Sequence, residues 1–432
     1  MEASLSIVLF VLALLVLLLP REHLMLPLLV CACYLPIGPA LELESLSFSS
    51  LRLLIGVAHV RFLLRGEYRS VSLQPLDYWI TLWAVWSVLS SLLHEDIPAT
   101  LINRMGMVYN VLGIYCYLRV VLQSVSAVWR AVSLLALLWL PLALEMSLEQ
   151  LTGRNLFHWL GGLPELAESR GDRIRAQGPF AHPILAGTVG AVMLPLMLQY
   201  RRASRGVAWA GTAASLTLIA ASASSGPILA ALAGLAGLWL WQKPARIKGL
   251  LLWGVSGYVI AELLMQAPAY YLVSRIDLTG GSTGWHRAAL IEAALQHLEE
   301  WWLAGSDYTR HWLPYGVSWS ENHVDITNYF IRMGVDGGLL QMLLFLKVLQ
   351  TGFGRVCLLP VTPLGVALGA SLCAHVVSFL SVAYFDQSIV FLYLILAAMA
   401  ALEYQASPET HAAEPQPVFF RYATVSTGVL KG

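Results

Sequence analysis

The sequence predicts an all-α polytopic membrane protein with about 12–13 transmembrane helices. Three observations lead there. Of the 432 residues, 58% are hydrophobic and 12% charged, and the mean hydropathy is +0.68. A soluble globular chain carries about 25% charged residues. Apolar runs of spanning length recur along the chain. Lys and Arg collect in every second connection, as expected of cytoplasmic loops. The 26 basic and 26 acidic side chains balance. So few charges exclude a nucleic-acid binder and a disordered chain, and leave too little polar surface for a soluble multidomain enzyme.

The runs fall near 4–20, 24–41, 49–64, 77–94, 101–122, 128–147, 183–200, 206–222, 225–242, 247–265, 334–351, 362–380 and 386–403. The first opens Met-Glu-Ala-Ser, with no basic residue ahead of it, and reads as a retained span, not a cleaved signal peptide. The third is weakest, interrupted by Arg52, His59 and Arg61. Basic connections carry Arg21; Arg61, Arg65 and Arg69; Arg119 and Arg130; Arg201, Arg202 and Arg205; Lys243, Arg246 and Lys248; Lys347 and Arg355. The intervening short loops are poor in Lys and Arg. The N-terminus is therefore expected outside and the C-terminus inside. Residues 1–403 form one transmembrane domain, with long outer loops at about 147–182 and 266–333. The stretch 404–432 reads as a flexible cytoplasmic tail. The five cysteines lack zinc or redox spacing and read as small buried hydrophobes.

Chemistry is expected in the outer loops. Arg170, Arg173 and Arg175 precede Gly178, Phe180, His182 and Pro183 at the mouth of the seventh run. Arginines outside break the positive-inside pattern, and their fork of donors matches phosphate. They suit an anionic head group such as a lipid-linked pyrophosphate; the alternative is solvated charge beside Glu165, Glu168 and Asp172. Residues 284–302 read as an amphipathic helix lying on the membrane as a lid, with Ala289, Ile291, Ala293, Leu295, Leu298 and Trp302 on its apolar side. Arg287 falls in its first turn, where the helix dipole disfavours a cation. A local anion is implied, with Glu292 as the bland alternative. Next come His311, Glu321, Asn322, His323 and Asp325. A neutral His323 oriented by Glu321 or Asp325 suits a general base. Ser222–Pro227 reads as a tight turn, although a serine paired with His375 is conceivable; Glu145, Glu262 and His375 could instead mark a proton path. No His-Glu-x-x-His, Walker A or dinucleotide motif appears, so no metal and no cofactor are expected.

In order and placement these residues resemble the O-antigen ligase and O-antigen/exopolysaccharide polymerase superfamily. The resemblance rests on Arg175-x-x-Gly178-x-Phe180 with His182, Pro183 and Gly187; the Ser224–Gly226 turn; Arg287; Glu321-Asn322-His323; and the Gly-rich entry Gly334, Gly337 and Gly338. The order Asn-His and Ser225 in place of an arginine depart from the family pattern. The resemblance implies a GT-C-like membrane glycosyltransferase in a bacterial inner membrane. Its donor would be a glycan on undecaprenyl pyrophosphate, and transfer would occur at the periplasmic face. Arg175 and Arg287 would stabilise the leaving pyrophosphate. His323 would accept the acceptor's proton. Arg170, Arg173, His182, Glu321, Asn322 and Asp325 would bind substrate. The acceptor is open between a lipid-linked repeat, as in a polymerase, and lipid A core, as in a ligase. A flippase is the rival of another class; it predicts paired repeats and charges at the bilayer midplane.

Overall fold

A computed structural model describes residues 3–402, apart from 37–40, 44–45, 242–244, 280–283, 317, 319–320, 359–360 and 386. The expected tail at 404–432 lies outside the described residues. The chain is mostly helical. Its helices are α1 (Ala3–Leu18), α2 (Met25–Tyr34), α3 (Ser50–Leu64), α4 (Pro75–Ser90), α5 (Ile97–Val121), α6 (Val125–Thr152), α7 (Pro183–Gln199), α8 (Arg205–Ala221), α9 (Ser225–Trp241), α10 (Ala245–Leu264), α11 (Gly284–Gln296), α12 (Leu298–Trp301), α13 (Tyr329–Leu358), α14 (Pro363–Ser378) and α15 (Gln387–Ala401). Two small antiparallel hairpins lie between helices: β1 (Leu41–Leu43) with β2 (Leu46–Phe48), and β3 (Glu168–Arg170) with β4 (Arg173–Arg175).

A helix forms at each expected apolar run. Among the described residues, four stretches are long and apolar enough to cross a membrane: Pro75–Leu93, Val125–Thr152, Pro183–Arg202 and Tyr329–Cys357. The run at 24–41 falls short of its expectation. Helix α2 stops at Tyr34, ahead of Pro36, and Leu41 already belongs to β1. Ten helical residues reach about 15 Å, half the hydrocarbon thickness.

The interior is apolar and so is much of the exterior. Every residue of α15 is buried, and α7 is buried over nearly its whole length. By contrast α10 exposes Leu252, Trp253, Val255, Leu263 and Leu264, each more than half accessible. Water would not tolerate that surface, whereas lipid does.

Connections alternate between two ends. At the basic end, Arg21 Nε donates to the Val120 carbonyl (2.8 Å) and Gln123 Nε2 to Ser70 Oγ (3.1 Å), tying three connections together. The three polar residues that weaken the third run are all paired. Arg52 Nε donates to Asn110 Oδ1 (2.8 Å), His59 contacts Tyr68 and the Gly113 carbonyl, and Arg61 binds Glu67 and the end of α1.

The two long loops cover the other end. Helix α13 is broken at Gly337 and Gly338, and Gly338 has φ +77°. A side chain there would overlap the Leu303 carbonyl, and one at Gly334 would overlap the Trp301 ring. The glycines thus let the Trp301–Leu303 turn dock into the helix. Backbone groups freed by the break find partners: Trp86 Nε1 donates to the Gly337 carbonyl, and Leu339 N to the Trp302 carbonyl, both at 2.7 Å.

The 284–302 segment differs from its expectation. It breaks at His297 into α11 and α12, and the buried side is His286, Arg287, Leu290, Ala293 and Ala294, joined by Trp301. Leu295, Leu298 and Trp302 point outward. The cause is a small core of its own. Leu290, Ala293, Ala294 and Trp301 pack with Trp312, Val324, Ile326 and Val335, so protein contacts, not a membrane surface, select the buried face.

Candidate functional site

The first group is built on the β3–β4 hairpin. Its register sets Glu168 directly across from Arg175, the position where opposite charges attract best. The Glu168 carboxylate accepts from Arg175 Nη1, and lies 3.3 Å from Arg170 Nη2 and 3.5 Å from His182 Nε2. Arg175, which is 1% exposed, also donates from Nη2 to Ser224 Oγ (2.7 Å). The hairpin is anchored on the α8–α9 turn, where Ala176 N donates to the Ala221 carbonyl (2.9 Å) and Ala223 adopts φ +44°. Beyond it, Gln177 N and Gly178 N donate to buried Glu149 (3.1 and 2.7 Å). Asn155 Nδ2 donates to the Gly178 carbonyl (2.7 Å).

His182 caps α7, its Nδ1 accepting from Ile184 N (3.1 Å). Burial pushes its pKa down to about 4, with Glu168 opposing and Arg175 and Arg170 assisting, so it stays neutral.

Arg287 joins this group from α11. It is 8% exposed, and its Nε has no hydrogen-bond partner among the described residues. Burial lowers its pKa, and the charges of Arg170 and Arg175 push the same way, with no carboxylate opposing. Arginine nevertheless stays charged. Glu292, the bland partner, accepts instead from the Tyr271 hydroxyl. Among the described residues the group therefore holds three guanidinium groups and one carboxylate. Arg173 is not drawn in. It is exposed at the hairpin turn and faces a different cavity of ≈ 550 Å³ with Asp172 and Gln150.

The second group surrounds a cavity of ≈ 240 Å³ between the start of α5 and the start of α13, lined in part by His323. Buried Asp336 is held by Arg104 Nη1 (2.8 Å) and Arg332 Nε (3.0 Å). Asp307 contacts His94 Nδ1 (2.6 Å) and accepts from Thr100 Oγ1 (3.2 Å). His323 is half-buried. Burial and then the Arg332 charge lower its pKa, with Asp336 and Asp307 pulling back, so its imidazole is neutral at pH 7. The carboxylates that act on it are thus Asp336 and Asp307, where Glu321 and Asp325 were expected. Glu321 is exposed. The Asn322 carbonyl accepts from Thr309 N and Arg310 N, both 3.0 Å, which fixes the backbone beside His323. Asp325 contributes its carbonyl to His286 Nε2 (3.4 Å), the residue before Arg287.

The structure therefore brings Arg170, Arg175, His182 and Arg287 together and sets His323 in a neighbouring cavity. Among the described contacts, none joins His323 to Arg175 or Arg287. Sequence reasoning missed Glu149, Asp307, Arg104 and Asp336. Glu149 had one signal, its i,i+4 spacing from Glu145 on one helix face; the others pair across distant segments. The remaining candidates are structural. Glu145 and Glu262 accept backbone amides from Leu156 (3.1 Å) and Ala269 (2.7 Å). His375 is fully buried and contacts the Tyr384 hydroxyl (3.0 Å), not the serines of the 222–225 turn.

No family model matches the chain, and no curated protein matches it.

Proposed function

We propose that this chain is a GT-C-like membrane glycosyltransferase that transfers a glycan from undecaprenyl pyrophosphate to an acceptor hydroxyl. It would lie in a bacterial inner membrane, with the N-terminus and both long loops periplasmic and the C-terminus cytoplasmic. One observation carries the reading: Arg287 is a buried cation whose Nε has no acceptor among the described residues and which feels the charges of Arg170 and Arg175. An unpaired buried charge is costly. A pyrophosphate would remove that cost, and the guanidinium forks fit its oxygens.

In the transfer, the acceptor oxygen bonds to the anomeric carbon as the bond to the pyrophosphate oxygen breaks. Negative charge grows on that oxygen, where Arg175 and Arg287 stabilise it. Arg170 supports the second phosphate, and Arg173 is left to a sugar that reaches the separate cavity it lines. Neutral His323 takes the hydroxyl proton. The His286–Asp325 contact links the segment of His323 to the helix of Arg287. Neither nucleotide sugar, metal nor other cofactor takes part. The acceptor is a second lipid-linked repeat, making the protein a polymerase.

Reconstituting the purified chain with a lipid-linked oligosaccharide tests this. Polymer and free undecaprenyl pyrophosphate are expected. Transfer only to lipid A core would make it a ligase. Movement of intact lipid across the bilayer without release of undecaprenyl pyrophosphate would overturn the transferase in favour of a flippase.

A further inference from the structure

We propose that His297, Glu300 and His311 form a binding site for one divalent transition-metal ion of the Zn²⁺ class. Their ligand atoms lie within 4.8 Å of one another. His297 follows α11, Glu300 lies in the single turn of α12, and a 3₁₀ turn at Arg310–Trp312 brings His311 back to them. No metal-ligand spacing is visible along the sequence, because ten residues separate Glu300 from His311.

His297 Nδ1 is 2.7 Å and His311 Nε2 3.0 Å from the Glu300 carboxylate. Tetrahedral Zn²⁺ with bonds near 2.0–2.1 Å sets its ligand atoms about 3.3 Å apart. Two of the three separations therefore need to open by a few tenths of an ångström, and the imidazole–imidazole edge lies within 4.8 Å. Two imidazoles and a carboxylate suit zinc and its neighbours, and exclude Mg²⁺ and Ca²⁺, which prefer all-oxygen shells. Water would take the fourth position. The three side chains are 30–39% exposed, so an ion has an entry path.

Surrounding groups already orient the ligands. The His297 ring stacks on Trp312 (5.6 Å between centroids, 5° between planes), and His311 stacks on Tyr308 (5.2 Å, 10°). Trp312 Nε1 donates to Glu300 Oε2 (2.8 Å), an outer partner of the kind that fixes ligating carboxylates.

The ion would clamp α12 to the turn that holds the backbone beside His323. Thr309 N and Arg310 N grip the Asn322 carbonyl, and Thr309 Oγ1 accepts from Val324 N (3.2 Å). This consequence rests on the proposed role of His323; metal binding itself does not.

The test uses the full chain in detergent, stripped with chelator and titrated with Co²⁺, then Zn²⁺. One equivalent of Co²⁺ should give the visible absorption of a low-coordinate ion, displaced by Zn²⁺. His297→Asn and His311→Gln keep an N–H towards Glu300 but are poor ligands. Together they should weaken binding at least 100-fold and abolish the Zn²⁺-dependent rise in melting temperature. If the double variant does not fold, X-ray absorption on wild-type Zn²⁺-loaded protein decides, and should show a nitrogen and oxygen shell with two imidazoles. Sub-stoichiometric binding, unchanged binding in a folded double variant, or a thiolate in the shell would overturn the site and leave Glu300 a hydrogen-bond acceptor only.

Discussion

Both ends of the helix bundle bury arginines, but they treat them differently. At the basic end, Arg119 places Nε and Nη2 on Asp77 (2.9 and 3.1 Å) and also reaches the Ser72 carbonyl (2.6 Å). Arg61 binds Glu67 (3.0 Å) and the carbonyls of Val16 and Leu19 that end α1. Each is matched by a carboxylate, and the carbonyls it takes lie at helix ends or in loops, where the backbone lacks partners. In the loop-end cluster, Arg170 and Arg175 share the single carboxylate of Glu168, and Arg287 Nε has no acceptor among the described residues. Burial of an arginine is therefore no sign of function in this chain. A missing counter-charge is, and the comparison assigns the basic end to folding and the loop end to chemistry.

The comparison breaks or sharpens under substitution. The largest effect is expected at His323. Replacing it with Ala removes the base and should lower turnover about 10²–10⁴-fold, with the melting temperature and membrane insertion unchanged. Normal product yield in a transfer assay would remove it from the chemistry. At the basic end, Arg119→Ala strands Asp77 and should destabilise the protein by about 3–5 kcal/mol, read as lost yield and a lower melting temperature. The fraction that folds should turn over normally; a stable but inactive variant would break the division between the ends. Arg287→Lys keeps a charge but loses the fork, and should cost about 10²–10³ in rate without lowering the melting temperature. A drop in stability there would mean that Arg287 has a structural partner. A smaller effect concerns pH. The His323 pKa lies below its ordinary 6.5. The base works in the neutral form, so kcat/KM should stay level as pH falls to about 6.5 and decline only below it.

Periodicity and composition made the helices legible, because a run long enough to span leaves few other structures. They also overstated α2, whose end is set by Pro36 and the turn after it. The arginine triplet and Arg287 stood out because they break a charge rule that local sequence states. Their partner Glu168 did not, since only the hairpin register places it across from Arg175. Asp336 and Arg104 meet across more than two hundred residues, and His311 joins His297 only through the fold of the outer loop. The buried side of α11 was misread for the same reason. Its own pattern is weak, and the small core built on Trp301 and Trp312 chooses the face.

Glu168 gives the finest test of the contrast between the ends. With His182 neutral, the described residues of the loop-end group carry a net charge of +2. Glu168→Gln keeps an oxygen for Arg175 and Arg170 but raises that net charge by one. Against an anionic donor, a unit charge at this range in a partly screened site is worth roughly 1 kcal/mol, about fivefold in affinity. KM for a pyrophosphate-linked donor should therefore fall about fivefold, with kcat nearly unchanged. The shift should shrink in high salt. Glu168 raises the His182 pKa, so its loss drives that pKa further below about 4. His182 then stays neutral at every working pH, and the pH profile should not move. A collapse of kcat instead would make Glu168 the base and His323 a bystander. It would place the proton transfer inside the arginine cluster rather than in the neighbouring cavity.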